Sequence, residues 1–252
     1  MKKSFLTYEK PLLTVMVQAD NPARVKELID KSLPEGAEAF GMQFCRMRPE
    51  YRNRETYETL FSYTQGRPVY VTNYRQGCNE GKTDAQLAEE LVELADCGAT
   101  LCDVIGDIFD KQPDELAVDN EAVKRQMALI DKLHQKGAEV LISSHVCTFT
   151  PAERVLEMAL AHQERGADIC KIVTGADTME QQLENLKIAN MLKERLEIPF
   201  LFLSAGECRI LRRIGGFLGC CMYLCVHEYD ELATPDQPML KPLKAIRDNM
   251  AL

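Results

Sequence analysis

Short apolar runs alternate along this chain with longer stretches in which apolar residues recur every three or four positions. The short runs fall at 12–18, 37–45, 68–73, 100–105, 139–145, 168–173, 199–204 and 220–226. Each is rich in Val, Ile, Leu, Phe or Cys and predicts a strand covered on both faces. The longer stretches predict helices. One opens at Asn21-Pro22-Ala23, an N-cap residue followed by proline in the first turn, with Val25, Leu28 and Ile29 as its stripe. Others cover 84–95, 120–135, 177–196 and 241–250. Thr150-Pro151-Ala152-Glu153 combines a cap, a first-turn proline and a capping-box acid, and predicts a helix running to Arg165. Gly137 and Gly166 stand where helices should stop.

A regular β-then-α alternation implies parallel strands joined by crossover helices. Eight such units in 252 residues fit the size of a (β/α)₈ TIM barrel, read here as a single domain over 1–252. A doubly wound sheet usually carries a glycine-rich turn after its first strand, and Val17-Gln18-Ala19-Asp20 is not one.

Charge narrows the partners. Thirty basic residues against 39 acidic ones leave a net charge of −9, with no Lys/Arg-rich run, so a nucleic-acid partner is not expected. No stretch has the roughly 18 continuous apolar residues of a membrane span. Met1 to Lys10 is too polar for a signal peptide, which points to the cytoplasm. The ten cysteines mostly sit in apolar runs and read as reduced, small hydrophobes. Cys220, Cys221, Cys225 and His227 match no zinc spacing, so no metal is expected.

One residue breaks the pattern. Lys171 sits inside Gly166-Ala167-Asp168-Ile169-Cys170-Lys171-Ile172-Val173. Burial disfavours an ammonium group, and a neutral lysine attacks ketones and aldehydes. The bland alternative is a lysine that snorkels outward or pairs with a buried carboxylate. The preceding strand ends Leu141-Ile142-Ser143-Ser144-His145, and alternation puts Leu141, Ser143 and His145 on one face. Fifth and sixth strands are neighbours in a barrel, so His145 and Lys171 can meet at its carboxyl end, where barrel active sites lie.

Ser143-Ser144-His145, Thr150-Pro151 and Gly166 to Ile172 together resemble the type I 3-dehydroquinate dehydratase family. The resemblance runs from about Leu12 to Leu252. It implies a Schiff-base lysine at Lys171 and an acid/base histidine at His145. It also implies a carboxylate-binding Arg212 and a covering loop, Thr234-Pro235-Asp236-Gln237, in which Gln237 meets the substrate. Arg75 and Glu80 approximate the arginine and glutamate that follow strand three, with one extra residue between. The implied reaction converts 3-dehydroquinate to 3-dehydroshikimate, in the shikimate pathway of aromatic amino acid biosynthesis, without a cofactor.

The departures are specific. The family ends strand two E-x-R-x-D; here those positions read Gly41, Gln43 and Cys45. Strand four offers D-x-E; here it reads Asp103-Val104-Ile105. A pocket that loses partners for substrate hydroxyls loses selectivity by orders of magnitude. A lysine-imine lyase or aldolase for a smaller keto acid is therefore a second expectation, and a non-catalytic binding barrel a third. A homodimer is one assembly open to the chain; the sequence does not decide it.

Overall fold

The computed structural model describes residues 4–8 and 10–250. Part of the 1–10 segment, and Leu252 at the end of the expected domain, lie outside the described residues. Eight parallel strands stand where the apolar runs predict them: β1 Leu12–Val17, β2 Ala39–Gln43, β3 Val69–Thr72, β4 Leu101–Ile105, β5 Glu139–His145, β6 Ile169–Gly175, β7 Phe200–Ala205 and β8 Met222–Cys225. Their hydrogen-bonded order is β7-β6-β5-β4-β3-β2-β1-β8. The ring closes between β7 and β8 through one isolated bridge, Phe200 to Cys220. At this seam a side chain stands in for backbone: the Phe202 N–H donates to Cys220 Sγ at 3.4 Å. Burial pushes the Cys220 thiol up to about 12, so it keeps its proton. The result is a (β/α)₈ TIM barrel.

The helices are α1 Pro22–Ser32, α2 Arg54–Tyr63, α3 Asp84–Asp96, α4 Asn120–Gln135, α5 Ala152–Glu164, α6 Met179–Arg195, α7 Leu211–Ile214 and α8 Leu240–Asn249. Val25, Leu28 and Ile29 are buried as the stripe predicts, and Asn21 caps the Arg24 N–H. Gly137 and Gly166 take positive φ, +74° and +93°, the left-handed turn that stops a helix. Two details differ from expectation. α2 escapes the pattern because Tyr57, Leu60 and Phe61 are its only buried residues among polar ones. α5 starts one residue late: Thr150 turns its hydroxyl to the Thr148 carbonyl instead of capping, and Pro151 becomes the N-cap.

Strand alternation sorts the side chains. Leu13, Val15, Phe40, Val71, Val104, Val140 and Ile142 face outward into the layer beneath the helices. Leu12, Ala39, Tyr70, Leu101, Leu141, Ile169 and Met222 fill the barrel interior towards its amino end. Phe5 adds to that plug, its N–H donating to Glu139 Oε2 at 2.8 Å. Above them the interior turns polar. No helix among the described residues is long and apolar enough to cross a membrane.

Candidate active site

The carboxyl ends of the strands surround a cavity of about 520 Å³. Lys171 reaches its floor from the middle of β6, with only 5% of its side chain exposed. It is not alone there. Asp103 on β4 lies 3.2 Å from Nζ, the Tyr70 hydroxyl on β3 lies 3.1 Å away, and the Tyr74 hydroxyl 2.9 Å. Burial alone would raise the Asp103 carboxyl. The charge of Lys171, that of His145 whenever its ring is protonated, and hydrogen bonds from Ser143 and Tyr70 hold it below the ordinary carboxylate range instead. Asp103 is thus an anion beneath the lysine. Pairing with a buried carboxylate, the bland alternative for Lys171, and a place facing the cavity are both present.

His145 ends β5 and lines the same cavity. Glu115, from the loop after β4, accepts from both the His145 backbone N–H at 2.7 Å and Nδ1 at 2.9 Å. That assigns the ring proton to Nδ1 and leaves Nε2 as an acceptor toward the cavity. The next loop is fixed by Val146 and Cys147, whose N–H groups both donate to the Val173 carbonyl. Cys147 takes φ +59°, a strained value for a non-glycine residue, and lines the cavity rim.

Tyr74 sits between these groups. Its hydroxyl donates to Asp103 Oδ2 at 2.6 Å and lies 3.5 Å from His145 Nε2. Its ring meets the imidazole edge-on, 5.1 Å between centroids. Burial, then the Asp103 charge, raises both Tyr70 and Tyr74 well above the ordinary phenol value, so both stay neutral. The loop that carries Tyr74 is anchored from below. Asn79 donates to the Tyr74 carbonyl at 2.7 Å, and Arg52 ties Asn79 and Asn73 to Glu90.

Glu80 does not join the site. It is exposed and absent from the cavity lining, because the turn Gly77–Asn79 carries it outward; Glu115 is the carboxylate at His145. Arg75 does reach the wall, but Asp84 and Asp107 clamp its guanidinium at 2.8 and 2.6 Å. Its charge joins the β3 and β4 loops. Arg212 lines the far wall, held by Nε donating to the Ser204 carbonyl at 2.6 Å. No partner among the described residues engages its two terminal nitrogens. Burial pulls its guanidinium below the usual arginine value, with Asp236 opposing, so an incoming anion would find a poorly solvated cation.

Gln237 lines the cavity from the loop after β8, and its Oε1 is buried without a hydrogen-bond partner. An orphaned buried acceptor suits a ligand hydroxyl. Beside it, Gln18 Nε2 donates to Gln43 Oε1 at 2.7 Å and to Thr234 Oγ1 at 2.6 Å. Of the altered strand-two positions only Gln43 lines the cavity. Gly41 lies under Met16, whose Sδ would be 2.1 Å from any added Cβ. Cys45 is buried in the short helical turn Phe44–Arg46, since β2 ends at Gln43. Ile105 and exposed Lys111 complete the outline. Elsewhere, Cys220, Cys225 and His227 each face a different group, the Phe202 carbonyl, the Thr14 carbonyl and Glu35.

A TIM barrel with a cavity-facing lysine on its sixth strand, beside a carboxylate-oriented histidine, defines the class. The chain belongs to the type I 3-dehydroquinase family, whose sequence profile matches residues 14–251. It is similar to the 3-dehydroquinate dehydratase of Alkaliphilus oremlandii, 33% identical over 91 residues, or 35% of this chain and 36% of that one. The enzyme of that name from Lactiplantibacillus plantarum is 25% identical over 48% of this chain and 49% of its own. The chain thus spans a third to a half of the length of these curated relatives. The type I 3-dehydroquinate dehydratase of Clostridium difficile, solved with covalently modified comenic acid, superposes with TM-score 0.80 at 18% identity, covering 96% of this chain and 93% of that one.

Proposed function

We propose that the protein is an imine-forming lyase that removes water from 3-dehydroquinate to give 3-dehydroshikimate. The observation that carries this reading is the position of Lys171 Nζ, buried at the cavity floor with Asp103 and Tyr74 in contact and His145 alongside. Lys171 attacks the ketone carbon, and the carbonyl oxygen leaves as water, giving a protonated imine. The imine withdraws electrons from the neighbouring C–H bond. His145 Nε2 takes that proton, and the C–H electrons form an enamine. The enamine expels the β-hydroxyl, which receives the proton from His145. Water then cleaves the imine and frees Lys171. Arg212 holds the substrate carboxylate, and Gln237 a hydroxyl. Asp103 balances the charge on nitrogen throughout. Arg75 serves by fixing the loop that carries Tyr74.

Gly41, Gln43 and Ile105 support a second reading, the same chemistry on a smaller keto acid. Met16 fills the space above Gly41, and the neutral Gln18–Gln43–Thr234 network stands where charged groups would grip a polyhydroxylated ring. The deciding experiment is borohydride reduction in the presence of 3-dehydroquinate or of a panel of keto acids, followed by mass spectrometry of the Lys171 peptide. A reduced adduct and product formation with 3-dehydroquinate are expected. An adduct only with smaller keto acids would transfer the assignment to the second reading, and none with any would overturn both. One domain over 1–252, a cytoplasmic site of action and a homodimer belong to the same proposal. Sedimentation of the purified chain tests the last.

A further inference from the structure

Lys171 starts as a cation against Asp103, yet its nitrogen must shed protons twice on the way to an imine. We propose that Tyr74 is a catalytic residue that carries these protons from Lys171 to His145, a role resting on the imine reading. The geometry supplies both ends of the transfer. The Tyr74 oxygen accepts from Nζ at 2.9 Å, and the same hydroxyl lies 3.5 Å from His145 Nε2. Glu115 fixes the ring proton on Nδ1, so Nε2 presents its lone pair to Tyr74. The Tyr74 hydrogen now points to Asp103 and needs only a rotation about the C–O bond to reach His145. Such contacts are commonly long before substrate binds.

Two acceptors flank the hydroxyl, and their positions separate them. The Asp103 side chain has no exposed surface, so a proton left there could not reach an oxygen in the cavity. His145 is a quarter exposed and lines the cavity. The burial of Tyr74 keeps it neutral, so it hands one proton on as it accepts another. Tyr70 touches Nζ and Asp103, but no hydrogen bond among the described residues joins it directly to His145, which makes it a hydrogen-bond donor to the anion and not the carrier to the ring.

The balance closes. The ammonium holds three hydrogens. The first passes through Tyr74 to His145, and the amine electron pair then forms the C–N bond while His145 protonates the carbonyl oxygen. The second leaves the new N–H₂⁺ group by the same route and is delivered to that hydroxyl as the C–O bond breaks. Water departs with both protons, and the iminium keeps the third hydrogen and the positive charge. No oxidant or further reactant enters.

Timed borohydride quenching of the full chain with 3-dehydroquinate reads the rate of adduct formation on Lys171. Tyr74→Phe keeps the ring against His145 and removes only the hydroxyl. It is expected to slow adduct formation about 10²-fold, to change its pH profile, and to leave the final adduct yield intact. Tyr70→Phe should slow it less and leave the profile in place. In a His145→Ala background, Tyr74→Phe should add no further loss, since two residues on one route are not additive. Adduct formation by Tyr74→Phe at the unaltered rate and pH profile overturns the proposal, as do independent, multiplying losses in the double variant. Where 3-dehydroquinate gives no adduct, the keto acid that does is used in its place; failure of the unaltered protein to form an adduct with 3-dehydroquinate or any keto acid of the panel removes the imine reading itself, and is distinguished by that.

Discussion

The two sides of the cavity are built differently. The β3–β6 side is charged and saturated: Lys171, Asp103, Tyr70, Tyr74, His145 and Glu115 are each held by at least one of the others. The β8–β1–β2 side is mostly neutral and partly unsatisfied: Gln18 bonds Gln43 and Thr234, Gln237 leaves a buried oxygen without a partner, and its one lining charge, Asp236, is paired with Arg209. Groups that move protons must be aimed in advance, because a small misplacement forfeits much of the rate. Groups that recognise a ligand can wait for it. Lys171 and His145 on the first side match the family pattern, whereas Gly41, Gln43 and Cys45 on the second depart from it, so on the proposed reading substitutions on the two sides should affect chemistry and substrate choice differently.

Substitutions can break that division. Lys171→Ala should abolish the borohydride-trapped adduct and lower turnover by roughly 10⁴-fold or more, the scale of losing a nucleophile. Glu115→Gln removes the anion that orients His145 and should lower kcat about 10²-fold with little change in KM, read from steady-state kinetics. Gln43→Leu, on the opposite side, should raise KM about fivefold and leave kcat nearly unchanged, since one neutral hydrogen bond contributes about 1 kcal/mol. If Gln43→Leu lowered kcat as far as Glu115→Gln does, the division would fail. The smallest effect is on stability. The Asp103 carboxyl is held below its ordinary value, so its contribution is full above about pH 3.8 and is lost as pH falls through the depressed value. Urea unfolding of the unaltered chain should therefore weaken in that acid window, and Asp103→Asn should flatten the slope.

Much of the reactive side was legible before any coordinates. Lys171 and His145 follow from strand alternation, which holds wherever a strand is buried on both faces. Arg212 and Gln237 were reachable only by motif, and both line the cavity. Glu115 and Tyr74 were not legible, for a common reason. Each comes from a loop, where no periodicity fixes direction. Tyr70 could have been found: it shares the inward face of β3, a phenol in an otherwise apolar run that needs a polar partner once buried. Cys45 shows the limit of alternation, which ends with the strand at Gln43. The Gln18–Gln43–Thr234 network joins residues more than 200 positions apart and follows from barrel closure alone.

That closure has a mechanical consequence. Seven of the eight joints between neighbouring strands are laced by ladders, while the β7–β8 joint holds by one bridge and a thiol. Arg212 is anchored to the end of β7, and Gln237 follows β8. A single small molecule gripped by both would act as a clasp across the weakest joint of the ring. Occupancy would then lock the barrel as well as fill it, adding to the ordinary mass-action gain in stability. The local signature would be slower amide exchange at Phe202 and Cys221, on the two sides of the seam, than elsewhere in the liganded protein.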